Sequence, residues 1–171
     1  KINYFNGNNM CGFVGIWNSY TSSTNDKKAI LKKMIMPLTH RGPDDFGFWE
    51  GDSRSPGLAH RRLSIQDLSS SGHQPMISGS SRYIMVFNGE IYNHFEIRNE
   101  INNLSNSAVH WNGTSDTETL LKAIDIWPIE EVLNKVVGMF AFAVWDRKER
   151  NLILARDRFG EKPLYYGLLI D

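Results

Sequence analysis

The sequence holds a single cysteine, Cys11, which directly follows Met10 and opens the run CGFVGIW. A lone cysteine forms neither a disulfide within the chain nor a thiolate zinc cage, which leaves a buried small hydrophobe or a nucleophile. Taken by itself, the buried hydrophobe is the commoner case. The nucleophilic reading has one specific route. If Met10 is an initiator that is removed, Cys11 becomes the first residue. Its free α-amine, with an ordinary pKa of about 7.7 to 8.0, can then take the proton of its own thiol, ordinarily at about 8.5. This needs no separate His–Asp pair, and none of His40, His60, His73, His94 or His110 falls in a recognisable catalytic spacing. Elsewhere, Asn88-Gly89 joins a side-chain amide to a glycine, a pair that alone reads as a hairpin turn. Asp116 stands in the first turn of a predicted helix, where the dipole alone favours an acid.

The elements that must position these residues follow from periodicity. CGFVGIW alternates as a strand with one buried face, so the cysteine opens the first strand. After a Ser/Thr-rich turn, Asn25 to Thr39 places Ile30, Leu31, Met34, Ile35 and Leu38 on one helical face, with Thr24 or Asn25 as cap. Pro43 ends that region by disfavouring helix at Gly42. Strands are expected at Phe46 to Glu50, Gly57 to Ile65 and Arg82 to Phe87, and the loop Ser69 to Ser81 is expected to be exposed. Two helices follow, near Asn93 to Leu104 and after Ser115, where Ser115 and Glu118 have capping-box spacing. Pro128 fits the first turn of a short helix through Val137. GMFAFAVWD and LILARD read as a hairpin across Arg147 to Asn151, with LYYGLLI as a final strand. Antiparallel runs with amphipathic helices to cover them make an α+β layered sandwich.

Composition excludes several classes. The 171 residues suit one domain with a substantial core. Nineteen Lys plus Arg balance nineteen Asp plus Glu, so no net field draws the chain to nucleic acid or an anionic membrane. The longest apolar run, Met139 to Trp145, is seven residues against the roughly 20 that span a bilayer. No metal-ligand cluster occurs. The opening KINYFNGNNM lacks the apolar centre and small-residue cleavage site of a secretory signal, and residues 1–10 are read as a leader or an expression remnant before a domain at 11–171. A cytoplasmic protein is expected, with the sequons at Asn103 and Asn112 as polar-loop coincidences.

Seven segments in order, MCGFVGIW, HRGPDDFG, LAHRRLSI, FNGEIYN, TSDTETLL, GMFAFAVWD and RDRFGEKPLYYG, resemble the glutaminase domain of the class II glutamine amidotransferases, and most of all the asparagine synthetase branch. The resemblance covers about Met10 to Gly167. It implies the four-layer αββα sandwich of N-terminal-nucleophile hydrolases, in keeping with the α+β layering above. It also implies hydrolysis of the glutamine side-chain amide through a thioester on Cys11, with the ammonia passed to a second domain. By the same resemblance Asn88 and Gly89 form the oxyanion hole. Arg62 holds the substrate carboxylate, for which a planar guanidinium is suited, while Arg61 points to the opposite strand face. Glu90 and Asp116 hold the α-ammonium, and the backbone around Leu63 and Ile65 lines the pocket. HRGPDD is expected to be a turn without chemistry. Arg156, Asp157 and Lys162 are expected either to face a following domain or to form ordinary surface ion pairs.

Two departures from that pattern matter. A Cys11 whose nitrogen is amide-linked to Met10 has no free amine, so the chain as written is expected to be inactive. Translation starting at Met10, removal of a propeptide, or a catalytically silent domain are the alternatives. The synthetase domain of the asparagine synthetase branch, with its ATP and Mg, is expected beyond Asp171, and aspartate is the default ammonia acceptor. No cofactor is expected in this domain. The competing reading is a silent glutamine-binding or regulatory domain of the same fold.

Overall fold

The computed structural model describes residues 10–17, 24–64, 70–104 and 109–168. The alternation in the first run is realised as β1 (Gly12–Ile16), which turns Val14 and Ile16 to one side and Phe13 to the other. With β2 (Asp45–Glu50) and β3 (Gly57–Arg62) it forms an antiparallel sheet in the order β1-β3-β2. Helix α1 (Thr24–Ile35) covers one face, burying Leu31 and Ile35 against Ala59. The helix gives way to a 3-10 turn at Met36–Leu38, earlier than the apolar spacing suggests, because Pro37 has no N–H to continue the ladder.

The second sheet, in the order β4-β5-β6-β7, comprises β4 (Met76–Ile77), β5 (Tyr83–Ile91), β6 (Gly138–Asp146) and β7 (Asn151–Arg156), all antiparallel. Its inner face sets Ile84, Val86, Ala143 and Trp145 against Leu58 of the first sheet. The outer face sets Met85, Phe87, Phe140, Phe142 and Val144 against α2 (His94–Leu104), α3 (Asp116–Ile126) and α4 (Ile129–Lys135). Three apolar interfaces therefore separate four layers, an αββα sandwich of the α+β class. Truncating a side chain at any of them, such as Leu58 to Ala, would cost about 2–5 kcal/mol. No helix among the described residues is long and apolar enough to cross a membrane.

Several boundaries differ from the sequence expectation. β5 runs on to Ile91, so Asn88 and Gly89 lie in a strand and not in a hairpin turn; pairing of Gly89 with Phe140 continues the register without a break. β3 stops at Arg62, and Ile65 lies outside the described residues, as do residues 1–9 of the expected leader. The segment expected as an exposed loop contains β4, a cis Gln74–Pro75 bond and the buried Gln74 and Ser78. Residues 164–168 form no strand, and Tyr165, Tyr166 and Leu168 are exposed. The cap before α3 is half of a capping box: Ser115 Oγ accepts the Glu118 N–H at 3.2 Å, but the Glu118 carboxylate turns away to the N–H groups of Asn112 and Gly113.

Candidate active site

At one end of the space between the sheets, a cleft of about 150 Å³ brings together Cys11, Arg62, Leu63, Asn88, Gly89, Glu90 and Asp116. Ile65, expected beside them, is among the residues not described. Cys11 immediately precedes β1 and shares the inward face of Phe13, two residues on. The Leu63 N–H donates to Cys11 Sγ at 3.3 Å, and the thiol donates back to the Leu63 carbonyl at 3.6 Å. Burial pushes the thiol above its ordinary pKa, against the Leu63 N–H and the Arg62 charge, which favour the thiolate.

The β5 edge shows how a strand can hold an open donor. Tyr92 and Arg147 N–H groups bond to Val137 and Arg82 carbonyls at the two ends of the β5–β6 ladder. Hydrogen-bonded pairs alternate in an antiparallel ladder, so the even-numbered residues of β5 bond to β6 and the odd-numbered N–H groups point to the other edge. On that edge Phe87 N–H donates to Gln74 Oε1 at 2.6 Å and Ile91 N–H donates to Asp116 Oδ2 at 2.9 Å. Gly89 N–H lies between them, beyond the end of β4, on the cleft. A Cβ at Gly89 would collide with the backbone of Met139 and Phe140, so the glycine is required by the close approach of β6 rather than by a substrate. The Asn88 side chain, on the inner face, is buried and makes no hydrogen bond among the described residues.

Charged side chains of both signs surround this donor. Arg62 ends β3, buried, with its guanidinium laid over Gly72, where any Cβ would strike it. Arg61 points the other way and stacks on Phe46 at 4.8 Å, as strand alternation predicts. Asp116 is the first residue of α3 and is buried; burial raises its pKa to about 6 despite N–H donation from Ile91 and Thr117, and nearby Glu90 adds to the rise. The loop that delivers Asp116 is tied by Arg98, which donates to the carbonyls of Gly113 and Ser115 at 2.9 Å.

Two segments expected to be passive contribute to the site. In HRGPDD, Arg41 Nε donates to the Cys11 carbonyl at 3.4 Å, and Asp44 accepts the Ser64 N–H at 2.7 Å while its own N–H bonds Arg62 O. The Asp44 contacts hold the turn that carries Leu63. In the C-terminal segment, Asp157 and Lys162 are buried rather than solvated. Burial drives the Asp157 carboxyl upward, but backbone N–H groups of Lys162, Glu161, Phe140 and Phe159 outweigh it and hold the pKa below the usual range. Lys162 thereby reaches the cleft, its Nζ 3.4 Å from Met10 Sδ. Gly72 and Gln74, which carry no expectation from the sequence, and Lys162, expected at a domain contact or in a surface ion pair, are wall residues of the cleft; the signal for the first two was an unbroken Gly-His-Gln-Pro run inside a segment otherwise rich in serine. Among the described residues, no group of three or more His, Cys, Asp or Glu could hold a metal ion.

Residues 10–171 match the family model described as a glutamine amidotransferase domain. The chain is 41% identical over 163 residues to "Asparagine synthetase [glutamine-hydrolyzing] 1" of Bacillus subtilis, covering 95% of this chain and 25% of that protein. It is 44% identical over 147 residues to a putative asparagine synthetase of Mycobacterium bovis, covering 82% and 22%. The chain thus spans about a quarter of the length of these curated relatives. Among solved structures, glutamine phosphoribosylpyrophosphate amidotransferase from B. subtilis aligns over 59% of this chain and 23% of that one, with 22% identity and a TM-score of 0.46.

Proposed function

This chain belongs to the glutamine amidotransferase domain family, and from that premise we propose that it hydrolyses the side-chain amide of glutamine with Cys11 as nucleophile. The observation that carries the reading is the convergence on one cleft of a thiol, an unengaged Asn88 amide, the open Gly89 N–H, and charges of both signs. Arg62 suits the substrate α-carboxylate, and Glu90 with Asp116 suits the α-ammonium, so a free amino acid zwitterion is the substrate class that uses all three. Cys11 Sγ attacks the carboxamide carbon while its proton passes to the Cys11 α-amine. The oxyanion is stabilised by Asn88 Nδ2 and Gly89 N–H. Collapse breaks the carbon–nitrogen bond, the α-ammonium gives its proton to the departing amide nitrogen, and ammonia leaves a thioester on Cys11. Water then hydrolyses the thioester to glutamate and restores the thiol.

In this reading the ammonia is consumed by a synthetase domain C-terminal to Asp171, to which ATP and Mg²⁺ would supply activation of an acceptor carboxylate, aspartate by analogy with the relatives. Their length supports such a domain. Tyr165, Tyr166 and Leu168, exposed at the end of the described chain, are apolar surface suited to packing against it. A cytoplasmic location fits this biosynthetic role.

The mechanism requires Cys11 to be the first residue. Preparing the protein with Cys11 first and treating it with a glutamine-analogue electrophile should add one mass equivalent at Cys11, and glutamine should be turned over to glutamate and ammonia. No adduct and no turnover would overturn the reading. One observation favours a silent glutamine-binding domain instead: with its nitrogen in a peptide bond to Met10, Cys11 has no free amine, and its half-buried thiol has a pKa raised by burial. Intact mass of the protein made from its natural gene separates the two, since a species beginning at Cys11 supports catalysis and one retaining Met10 supports the silent domain.

A further inference from the structure

Lys162 is a charged side chain on the cleft that the mechanism above does not use. Only 4% of the residue is exposed, and among the described residues its ammonium makes one hydrogen bond, to the Met10 thioether. A thioether is a weak acceptor, so burial of this cation is poorly compensated in its present state. Its placement is nonetheless enforced: Asp157 Oδ2 accepts the Lys162 N–H at 3.0 Å and the Phe140 N–H at 3.2 Å, tying the lysine's backbone to the start of β6. The contact that holds the ammonium belongs to the residue whose loss would make Cys11 the amino terminus.

We propose that Lys162 is a positioning residue for the nucleophile: with Met10 gone, its ammonium faces the α-amine of Cys11, disfavours a proton there, and so keeps the amine available as base. The proposal rests on the reading above that Cys11 acts as the first residue. Like charges at close range disfavour each other's protonated forms. Among the described residues, the other charged groups around Cys11 are Arg62 from β3, Glu90 from β5, Asp116 at the head of α3, and Arg41 from the turn before β2. Arg41 is engaged on the Cys11 carbonyl at 3.4 Å. The two carboxylates favour a protonated amine, and Lys162 opposes them from the C-terminal segment. Burial, then Arg41, hold the lysine itself below the ordinary ammonium range, while Glu161, Asp157 and Cys11 act in the other direction.

The test uses the Cys11-first protein with Lys162→Met and Lys162→Arg. Because the chain holds one cysteine, ¹⁵N-cysteine labelling reports the Cys11 nitrogen alone, and its NMR titration gives the amine midpoint without any turnover. Lys162→Met should raise that midpoint by about one pH unit, and Lys162→Arg should restore it. The acid limb of kcat/KM should move by the same amount, with KM on the alkaline plateau unchanged. If Lys162→Met does not fold, Lys162→Gln is titrated in its place. An unmoved midpoint in a folded variant overturns the proposal even in an active glutaminase. A moved midpoint in a protein that turns over no glutamine upholds the proposal and rejects the glutaminase function.

Discussion

Leu63 holds Cys11 through both of its backbone polar groups, its N–H donating to Sγ at 3.3 Å and its carbonyl accepting from the thiol at 3.6 Å. The thiol is thereby aimed while it is still protonated, since burial keeps its pKa above the ordinary value. While Met10 is attached, alkylation of Cys11 by iodoacetamide at pH 7.5 should be slower than that of a free cysteine, and should accelerate only above the ordinary thiol range. Fast alkylation at neutral pH in the Met10-bearing protein would contradict this burial.

Arg62 lies buried on the cleft with its guanidinium packed against Gly72, where a Cβ would strike it; in the proposed reaction it holds the substrate carboxylate. Arg62→Lys replaces a fork by a point charge. A lost charged hydrogen bond is worth about 1.5–3 kcal/mol, so KM for glutamine should rise on the order of tenfold to a hundredfold, with kcat reduced less. Gly72→Ala should act in the same direction, by displacing the guanidinium from its seat. Unchanged KM in Arg62→Lys would remove the assigned role.

Asn88 faces the cleft with its amide unengaged, so its donors can be reserved for charge that appears only during reaction. Removing one such donor typically costs about 10²–10³ in kcat. Asn88→Ala in the Cys11-first protein should show that loss with KM nearly unchanged. An equal effect on both constants would instead make Asn88 a ground-state binding group.

Much of this was legible in the chain because the relevant signals are local. The alternation of CGFVGIW, the helical spacing of Leu31 and Ile35, and the run GMFAFAVWD each announce one buried face. Asn88-Gly89 misleads for a physical reason: the same dipeptide that favours a tight turn is here required in an extended strand, because Gly89 lies against the Met139 and Phe140 backbone of a partner strand about fifty positions away. Likewise Lys162 carries no local mark of burial. Its course is set by Asp157 collecting backbone donors across the β6 start, a contact that no periodicity reports. The layers were readable; the turning-in of the polar segments that complete the cleft depended on long-range hydrogen bonds.

Asp116 links the site to stability. Its pKa of about 6 in the folded protein lies above the ordinary aspartate value of 3.8, so between those values the native state binds more protons than the unfolded chain. Stability from this group is therefore fully present below the unfolded value and is lost as pH rises through about 6, amounting to about 3 kcal/mol of destabilisation at neutral pH. The ionised form is nevertheless the one that can hold an ammonium. Asp116→Asn keeps an acceptor for the Ile91 N–H, now bonded at 2.9 Å, while removing the buried charge. It should raise Tm by about 6–12 °C at pH 7.5, and the gain should shrink toward zero as pH falls to 4. His60, buried neutral with its pKa lowered by burial to about 4, contributes the opposite slope, but equally in both proteins, so it cancels in the difference. The variant should also lose most of its glutamine affinity. A Tm difference constant across this pH range would show that the carboxyl is not charged at a cost in the folded state, and the raised stability of the variant would then have to come from somewhere other than the ammonium site.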